Sequence, residues 1–233
     1  MGEDKATRVR AMFGRIVPRY DLMNRIMTGG LDRRWRRRTA AAVRPAGARA
    51  LDLATGTGDL ALALVDAGAR LVVGADFTLG MLAAARSKVA PVPRRPARIL
   101  LCAGDALRLP FADDAFDCAV NGFLLRNVAD LPRALAELHR VLMPGGRLGC
   151  LEITHPPAAL RPFFRLYFDG LVPVMGRLIA GDAAAYRYLP DSLRPFPTAD
   201  RLARMLTAVG FADVRYQRLG LGTVALHTGV KAG

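Results

Sequence analysis

The chain has 233 residues and a net charge of +14, with 52% hydrophobic residues and a mean hydropathy of +0.20. These values are typical of one folded domain with small additions, and they exclude an intrinsically disordered chain. Residues 1–50 carry 13 Lys and Arg against 4 Asp and Glu. Such a basic segment favours contact with nucleic acid, an anionic membrane surface or an acidic substrate, although a solvated arginine-rich helix face explains it equally well.

Targeting segments and metal sites are not expected. The most apolar long stretch, 163–181, is interrupted by charged residues and a proline, which argues against a membrane span. The first ten residues, MGEDKATRVR, include acidic residues and no apolar run, unlike a secretory signal. The three cysteines are far apart and have no metal-ligand spacing, which predicts reduced core thiols. We therefore expect a cytoplasmic protein without a metal.

From residue 48 onward, short apolar runs alternate with helical patterns. The predicted strands are 48–54, 70–76, 97–105, 116–123, 147–154, 212–219 and 223–231. The predicted helices are 59–68, 79–89, 131–142 and 199–210, with a proline-rich break at 91–96 and a turn at 144–146.

This order of elements predicts an α/β fold. Strands that alternate with helices favour a parallel, doubly wound sheet. The last two strands are joined by about three residues, too few for a parallel crossover, so they should pair antiparallel. We expect a Rossmann-like, seven-stranded, mostly parallel sheet that ends in an antiparallel hairpin.

The segment LDLATGTGDL, 51–60, predicts a strand that runs into a glycine turn and then a helix. Gly56 to Ala61 fits G-x-G-x-x-A, and Asp76 lies 20 residues after Gly56. The glycines let the backbone approach a ligand, and an acid after the second strand can bind two ribose hydroxyls. These features are shared by nicotinamide dinucleotide sites and S-adenosylmethionine sites.

Three further acids favour S-adenosylmethionine. Asp52, on the strand before the turn, would oppose a pyrophosphate but suits an amino group and a sulfonium charge. Asp59 adds negative charge at the helix start, although alone it could be only a favourable N-terminal charge. Asp105, in Gly104-Asp105-Ala106 after the third strand, could accept a hydrogen bond from the adenine amino group.

Segments along almost the whole chain are similar to the ubiquinone/menaquinone-biosynthesis C-methyltransferases. They are PRYDLMNRIMTGGLDRRWR (18–36), LDLATGTGD (51–59), LPFADDAFD (109–117), LLRNV (124–128), LMPGGRL (142–148), LEITHP (151–156), YRYLPDSLRPFP (186–197) and GTVALHTGVK (222–231). The glycine motif is general to class I methyltransferases, whereas Tyr-Asp-x-Met-Asn, Arg-Asn-Val and Tyr-Arg-Tyr-Leu are more specific. Leu124 stands where the family usually has a glycine.

The resemblance implies a class I S-adenosylmethionine-dependent methyltransferase that methylates a ring carbon of a prenylated quinol, with demethylmenaquinol as the first candidate. Leu124 keeps another small aromatic or polyketide-like acceptor open. The basic charge keeps an RNA methyltransferase open, although stacking aromatics are absent from its arginine cluster apart from Trp35. We expect no nucleic-acid partner.

The resemblance also implies cofactor-binding roles for Thr57, Asp76, Asp105 and Ala106. The full set of expected cofactor-binding residues is Asp52, Gly56, Thr57, Gly58, Asp76, Phe77, Asp105, Ala106 and Gly122.

Carbon methylation of a quinol requires a ring hydroxyl to lose its proton, because the ring carbon then becomes nucleophilic. Arg126 could stabilise the phenolate or orient a water that takes the proton, unless it is only an ion-pair residue. Tyr20 and Asp59 could complete this network, although Tyr20 could equally pack the N-terminal segment over the cofactor. His155 is a second candidate base, with a structural role at a strand end as its alternative.

A prenyl tail is insoluble in water, so the enzyme should load its substrate at a membrane. Residues 1–47 are expected to form a basic helical cap over the active site, and about 157–197 an acceptor lid inserted in the methyltransferase domain, 48–233. The lid carries an aromatic stripe that could face the tail, a partner subunit of a homodimer, or the core: Phe163, Phe164, Tyr167, Phe168 and Leu171. We expect transient contact with the inner face of an anionic membrane.

Overall fold

The computed structural model describes residues 2–90, 98–180 and 182–233, and its centre is one seven-stranded sheet. The strands are β1 Arg49–Leu53, β2 Leu71–Asp76, β3 Arg98–Ala103, β4 Phe116–Gly122, β5 Leu142–Ile153, β6 Phe211–Leu219 and β7 Val224–Lys231. Their order across the sheet is β3-β2-β1-β4-β5-β7-β6. Among the described strands only β7 is antiparallel to its neighbours, β5 and β6, so the predicted sheet is confirmed.

Helices cover the sheet, and two further groups of helices lie before β1 and between β5 and β6. They are α1 Gly2–Ile16, α2 Tyr20–Thr28, α3 Leu31–Ala42, α4 Asp59–Asp66, α5 Leu79–Val89, α6 Leu131–Val141, α7 Arg161–Arg165, α8 Val172–Met175, α9 Ala183–Leu193 and α10 Ala199–Val209. Two π-helical turns, Leu166–Leu171 and Gly176–Ala180, join α7, α8 and α9 into an insert between β5 and α10.

The connecting helices follow their sequence signals closely. Helix α6 begins after Asp130, whose side chain accepts the Arg133 N–H at 3.0 Å, and such a cap satisfies an otherwise unpaired donor. Helix α10 ends at Gly210, whose φ of +115° is the left-handed conformation that glycine adopts without strain. Leu202 and Leu206 of α10 are buried, at the spacing that places two side chains on one helix face.

The segment around Pro144 differs from expectation. The sequence predicts a turn at 144–146 and a strand from 147, whereas β5 already begins at Leu142. Phe116 pairs with Leu142 and Cys118 with Arg147, so the intervening residues form an irregularity inside the β4–β5 pairing. A bulge of this kind absorbs extra residues without ending the strand. The proline-rich break predicted at 91–96 lies outside the described residues.

The sheet order determines where a ligand can bind. Strand β1 lies between β2 and β4, and both pair with it in parallel. The connection after β1 leads to β2 on one side, and the connection after β4 leads to β5 on the other side. Because these connections diverge, a crevice opens at the carboxyl ends of β1 and β4. The glycine turn follows β1, and Asp76 ends β2, so the predicted cofactor residues meet at this edge.

Candidate active site

The glycine turn after β1 is held in place by Asp76. One carboxylate oxygen accepts the Gly56 N–H at 2.9 Å, and the other accepts the Thr78 N–H at 2.8 Å. Gly56 has φ +54° and Gly58 has φ +88°, conformations that favour glycine. Burial raises the pKa of Asp76, while these backbone hydrogen bonds oppose the shift. The same carboxylate keeps lone pairs that can accept ligand hydroxyls.

A first cavity lies beside this turn and brings together most of the predicted cofactor residues. Those that line it are Gly56, Asp76, Phe77, Asp105, Ala106 and Gly122. Helix α1 covers the cavity with Ala6, Val9 and Phe13, and Leu124 completes its wall. Within the described part of the chain, no lining residue is Lys or Arg, so the cavity offers two carboxylates and no cation to balance a pyrophosphate.

Asp52 lies behind the turn and not on the wall of the first cavity. Its side chain is fully buried, and Thr55 donates a hydrogen bond to one carboxylate oxygen at 2.6 Å. The other oxygen is buried and has no hydrogen-bond partner among the described residues. Burial raises the pKa of Asp52 to about 7. The Thr55 hydrogen bond, Arg36 and the Ala61 backbone N–H oppose this shift only in part, so the carboxylate beneath the turn would favour a cationic ligand above it.

Thr57 and Asp59 belong to a polar cluster that anchors helix α2. Lys88 of α5 makes an ion pair with Asp59, and its Nζ lies 2.7 Å from Asp21 of α2. The Thr57 hydroxyl donates to Asp21 at 2.6 Å. Gly58 packs on α5, since a Cβ there would lie 3.2 Å from Val89. The structure therefore places Thr57, Gly58 and Asp59 in the support of the turn, away from both cavities described here.

A second cavity adjoins the first and is mainly apolar and aromatic. Phe13, Tyr20 and Phe123 line both cavities and so form the partition between them. Phe123 has φ +60°, a strained conformation for a bulky residue that is typical of functional sites. Of the three, Tyr20 alone has a hydroxyl group. This residue lies where a methyl group could pass from one cavity to the other.

Arg126 lines the second cavity but is already paired. Its Nη1 lies 2.5 Å from a carboxylate oxygen of Glu152 and donates to the Phe123 carbonyl at 3.0 Å. The side chains of Arg126 and Glu152 are 5% and 1% exposed. The sequence left open whether Arg126 is an ion-pair residue or a residue of the acceptor site. In the structure it forms an ion pair and also lines the second cavity.

His155 lies outside the two cavities, at a separate open cavity with Arg161 and Arg194. Its Nε2 is 2.9 Å from the Phe196 carbonyl, so this nitrogen carries the proton and donates. The insert instead contributes three of its predicted aromatic residues to the second cavity, Phe164, Tyr167 and Phe168. The other two members of that stripe, Phe163 and Leu171, are exposed.

Several residues of the site were not predicted from the sequence. Phe13 and Phe123 form the partition, Glu152 neutralises Arg126, and Lys88 anchors α2. A carboxylate inside the apolar strand pattern of LEIT was a usable signal for Glu152, since a buried acid requires a partner. Phe13 and Lys88 carry no comparable pattern, because their roles depend on the packing of α1 and α5.

The fold and site define a class I methyltransferase. The structure is similar to that of an S-adenosylmethionine-dependent methyltransferase of Thermotoga maritima, with a TM-score of 0.67, 19% identity, and coverage of 95% of this chain and 98% of that one. The model of the ubiE/COQ5 methyltransferase family matches residues 1–231, so the chain belongs to that family. The predicted family and enzyme class are thereby confirmed.

Individual relatives agree over nearly their full lengths. A demethylmenaquinone methyltransferase of Thermus thermophilus is 49% identical over 221 residues, which cover 94% of this chain and 99% of the relative. Another demethylmenaquinone methyltransferase, from Roseiflexus sp., is 46% identical over 237 residues, covering 99% of this chain and 96% of that protein.

Proposed function

We propose that this protein transfers a methyl group from S-adenosylmethionine to a ring carbon of a prenylated quinol, and that demethylmenaquinol is the acceptor. The observation that carries the proposal is the pair of adjoining cavities. The first cavity lies beside the glycine turn and is lined by two carboxylates. The second cavity is lined mainly by apolar and aromatic side chains, which suit a ring with a hydrocarbon tail. The names of the relatives from Thermus and Roseiflexus support the same acceptor.

The residues of the first cavity fit S-adenosylmethionine better than a dinucleotide. Asp76 can accept the ribose hydroxyls, and Asp105 and Ala106 offer a polar and an apolar contact for adenine. The unpartnered oxygen of Asp52 would stabilise a nearby positive charge. The described lining has no cation for phosphates. Leu124 lies on the wall of this first cavity, so its bulk in place of a glycine does not by itself argue for a different acceptor.

When bound, S-adenosylmethionine supplies an activated, electrophilic methyl group. The protein must hold the acceptor carbon in line with it, and such positioning can supply much of the acceleration. The aromatic partition between the two cavities excludes water from the path of methyl transfer. It consists of Phe13, Tyr20 and Phe123.

The acceptor hydroxyl must lose its proton, and a phenol has an ordinary pKa near ~10. Arg126 faces this hydroxyl from the wall of the second cavity and lowers the cost of the phenolate, with Glu152 holding the guanidinium in place. Tyr20 remains the candidate for moving the proton, because it lines both cavities. Asp59 and the candidate base His155 take no catalytic part in this scheme, because Lys88 and the Phe196 carbonyl already bind them.

Helices α1 and α2 act as a cap, and the insert acts as an acceptor lid that contacts a membrane. The described residues contain no helix long and apolar enough to cross a membrane. The insert nevertheless exposes an apolar face, the insert face, formed by Phe163, Leu166, Leu171, Val174 and Leu178. Exposed arginines flank this face on the same insert, namely Arg161, Arg165 and Arg177. Apolar side chains beside arginines suit a peripheral, anionic lipid surface at the inner face of the membrane.

The acceptor assay tests the proposal. The protein is incubated with S-adenosylmethionine labelled in its methyl group and a panel of demethylated quinols, anaerobically and with reductant. We expect labelled menaquinol from demethylmenaquinol, with a lower rate for ubiquinol-type rings. Label in a small tail-free phenol or in RNA alone would contradict the proposal.

A further inference from the structure

Three residues that line the second cavity carry buried polar atoms that find no hydrogen-bond partner in the described residues. They come from three separate elements: the Tyr186 hydroxyl on α9, Asn24 Nδ2 on α2 and Arg126 Nε in the loop after β4. An unsatisfied buried polar group costs about 1–3 kcal/mol. Three such groups around one apolar cavity therefore indicate a ligand that brings polar atoms of its own.

Tyr186 is held in place by its packing against the insert. Its side chain is 3% exposed, and its ring packs on the backbone of the π-helical turn at Gly176. A Cβ added at Gly176 would lie 2.5 Å from Cγ and 2.6 Å from Cβ of Tyr186, closer than atoms can approach. Glycine at this position lets the ring sit against the insert, so the ring has a fixed place beside the second cavity.

The Tyr186 hydroxyl stays protonated in this environment. Burial, with smaller contributions from Tyr20 and Asp182, raises the pKa of Tyr186 to about 12. Tyr20 belongs to the partition between the cavities. Because its pKa is so high, the Tyr186 hydroxyl keeps its proton at neutral pH and can donate a hydrogen bond to an oxyanion.

We propose that the Tyr186 hydroxyl binds a ring oxygen of the acceptor and so orients the ring carbon towards the partition. The inference rests on the proposed function, since it assumes an oxygenated aromatic ring in the second cavity. It assigns Tyr186 an acceptor-binding role that is separate from the phenolate stabilisation given to Arg126. A site built to bind a substrate hydroxyl discriminates strongly against rings that lack it.

Two matched variants test the inference. Tyr186→Phe removes the hydroxyl from the cavity wall, and Tyr188→Phe removes another buried, unpartnered hydroxyl of α9 that is not among the described residues lining the second cavity. For each we measure kcat/KM for a demethylmenaquinol with a short prenyl tail, Kd for S-adenosylmethionine, and Tm. We expect Tyr186→Phe to lower kcat/KM about tenfold or more, without raising the cofactor Kd or lowering Tm. Tyr188→Phe should stay within twofold of wild type.

The inference is overturned if Tyr186→Phe stays within twofold of wild type, if Tyr188→Phe loses as much, or if the loss follows a lowered Tm. A thermal-shift titration with the same quinol separates this result from the proposed function. If the wild type binds the quinol without methylating it, the proposed function fails, and loss of the shift in Tyr186→Phe still supports the inference. A full shift in Tyr186→Phe, or no shift in the wild type, rejects it.

Discussion

At the scale of single residues, the site contains two buried charges, of which one has an oppositely charged partner and the other does not. Asp52 is fully buried beneath the glycine turn with one oxygen unpartnered, whereas Arg126 is buried with its partner, Glu152. A buried charge without a partner raises the free energy of the folded protein, and a buried pair becomes costly only when one member is removed. These two arrangements predict opposite responses to substitution.

Removing the charge of Asp52 should make stability less dependent on pH. Its pKa in the folded protein is raised from 3.8 to about 7, so between these values the folded state keeps a proton that the unfolded state releases. The free energy of unfolding of the wild type should therefore decrease as pH rises through this window. Asp52→Asn keeps an oxygen for the Thr55 hydroxyl and should lack this decrease, which makes it the more stable protein at pH 8. Urea denaturation of both proteins from pH 5 to 8 measures the effect, and parallel curves would contradict it.

Removing Arg126 alone should destabilise the protein strongly. Arg126→Met leaves the Glu152 carboxylate buried without its cation, which should lower the free energy of unfolding by about 3–5 kcal/mol. The double variant Arg126→Met/Glu152→Leu removes both charges and should recover most of this loss. Chemical denaturation of the three proteins forms the test, and equal stability of the single and double variants would show that the pair is not coupled.

At the scale of secondary structure elements, the N-terminal helices are joined to the glycine turn by polar contacts. Lys88 of α5 links Asp21 of α2 to Asp59 of α4, and Thr57 of the turn joins the same cluster. Helix α1 lines the first cavity, so we expect movement of the N-terminal helices to affect ligand entry and release. Hydrogen bonds from Lys88 and Thr57 lower the pKa of Asp21, although burial alone would raise it. The cluster therefore favours the closed arrangement.

Lys88→Met should loosen this closure with little effect on the core. The side chains of Lys88 and Asp21 are about one-third exposed, so we expect a modest change: dissociation of S-adenosylmethionine should accelerate about fivefold, which corresponds to about 1 kcal/mol. Stopped-flow displacement measures the rate, and Arg86→Met, on the exposed face of the same helix, is the matched control. An unchanged rate in Lys88→Met, or equal acceleration in Arg86→Met, would contradict a role in closure.

Much of the element order follows from local sequence patterns. Apart from the start of β5 and the helices of the insert, the strand and helix limits after residue 48 agree within two residues, because apolar alternation, caps and glycines act over short distances. The cofactor turn was predictable for the same reason. The second cavity was not, because it requires α2, the insert and β7 to meet, and residues such as Asn24 and Tyr186 carry no local signal of that meeting. The Arg126–Glu152 pair is likewise a contact between separate strand ends.

At the scale of the whole molecule, positive charge and exposed apolar surface occur together. Helix α3 exposes Arg33, Arg34, Arg37 and Arg38, while the insert face exposes large apolar side chains. Helix α2 connects the two regions, since Arg19 just before it donates to the Ile179 carbonyl at 2.7 Å and the Tyr167 hydroxyl donates to the Met27 carbonyl at 2.7 Å. We propose that the lipid surface contacts both the insert face and helix α3.

Charging the insert face should weaken binding to anionic vesicles. Leu166 and Leu178 are 75% and 78% exposed, and the double variant Leu166→Glu/Leu178→Glu places two carboxylates against the lipid. We expect cosedimentation with phosphatidylglycerol vesicles to fall about tenfold or more, since each buried leucine side chain contributes about 1.5–3 kcal/mol. Leu79→Glu, at an equally exposed leucine of α5, is the control. Equal binding by the double variant and the wild type would show that the insert face does not contact the membrane.

The central claim is carbon methylation of a reduced ring, and the product of one reaction tests it most directly. Demethylmenaquinol and S-adenosylmethionine are incubated with the protein anaerobically, with and without reductant, and the product is analysed by mass spectrometry and NMR. A reduced ring has a hydroxyl that can ionise and make its carbon nucleophilic, whereas an oxidised quinone has none. We predict menaquinol, with the new methyl group on carbon, formed only under reducing conditions. A methyl group on oxygen, equal turnover of the oxidised quinone, or no methylation of the reduced ring would contradict this account.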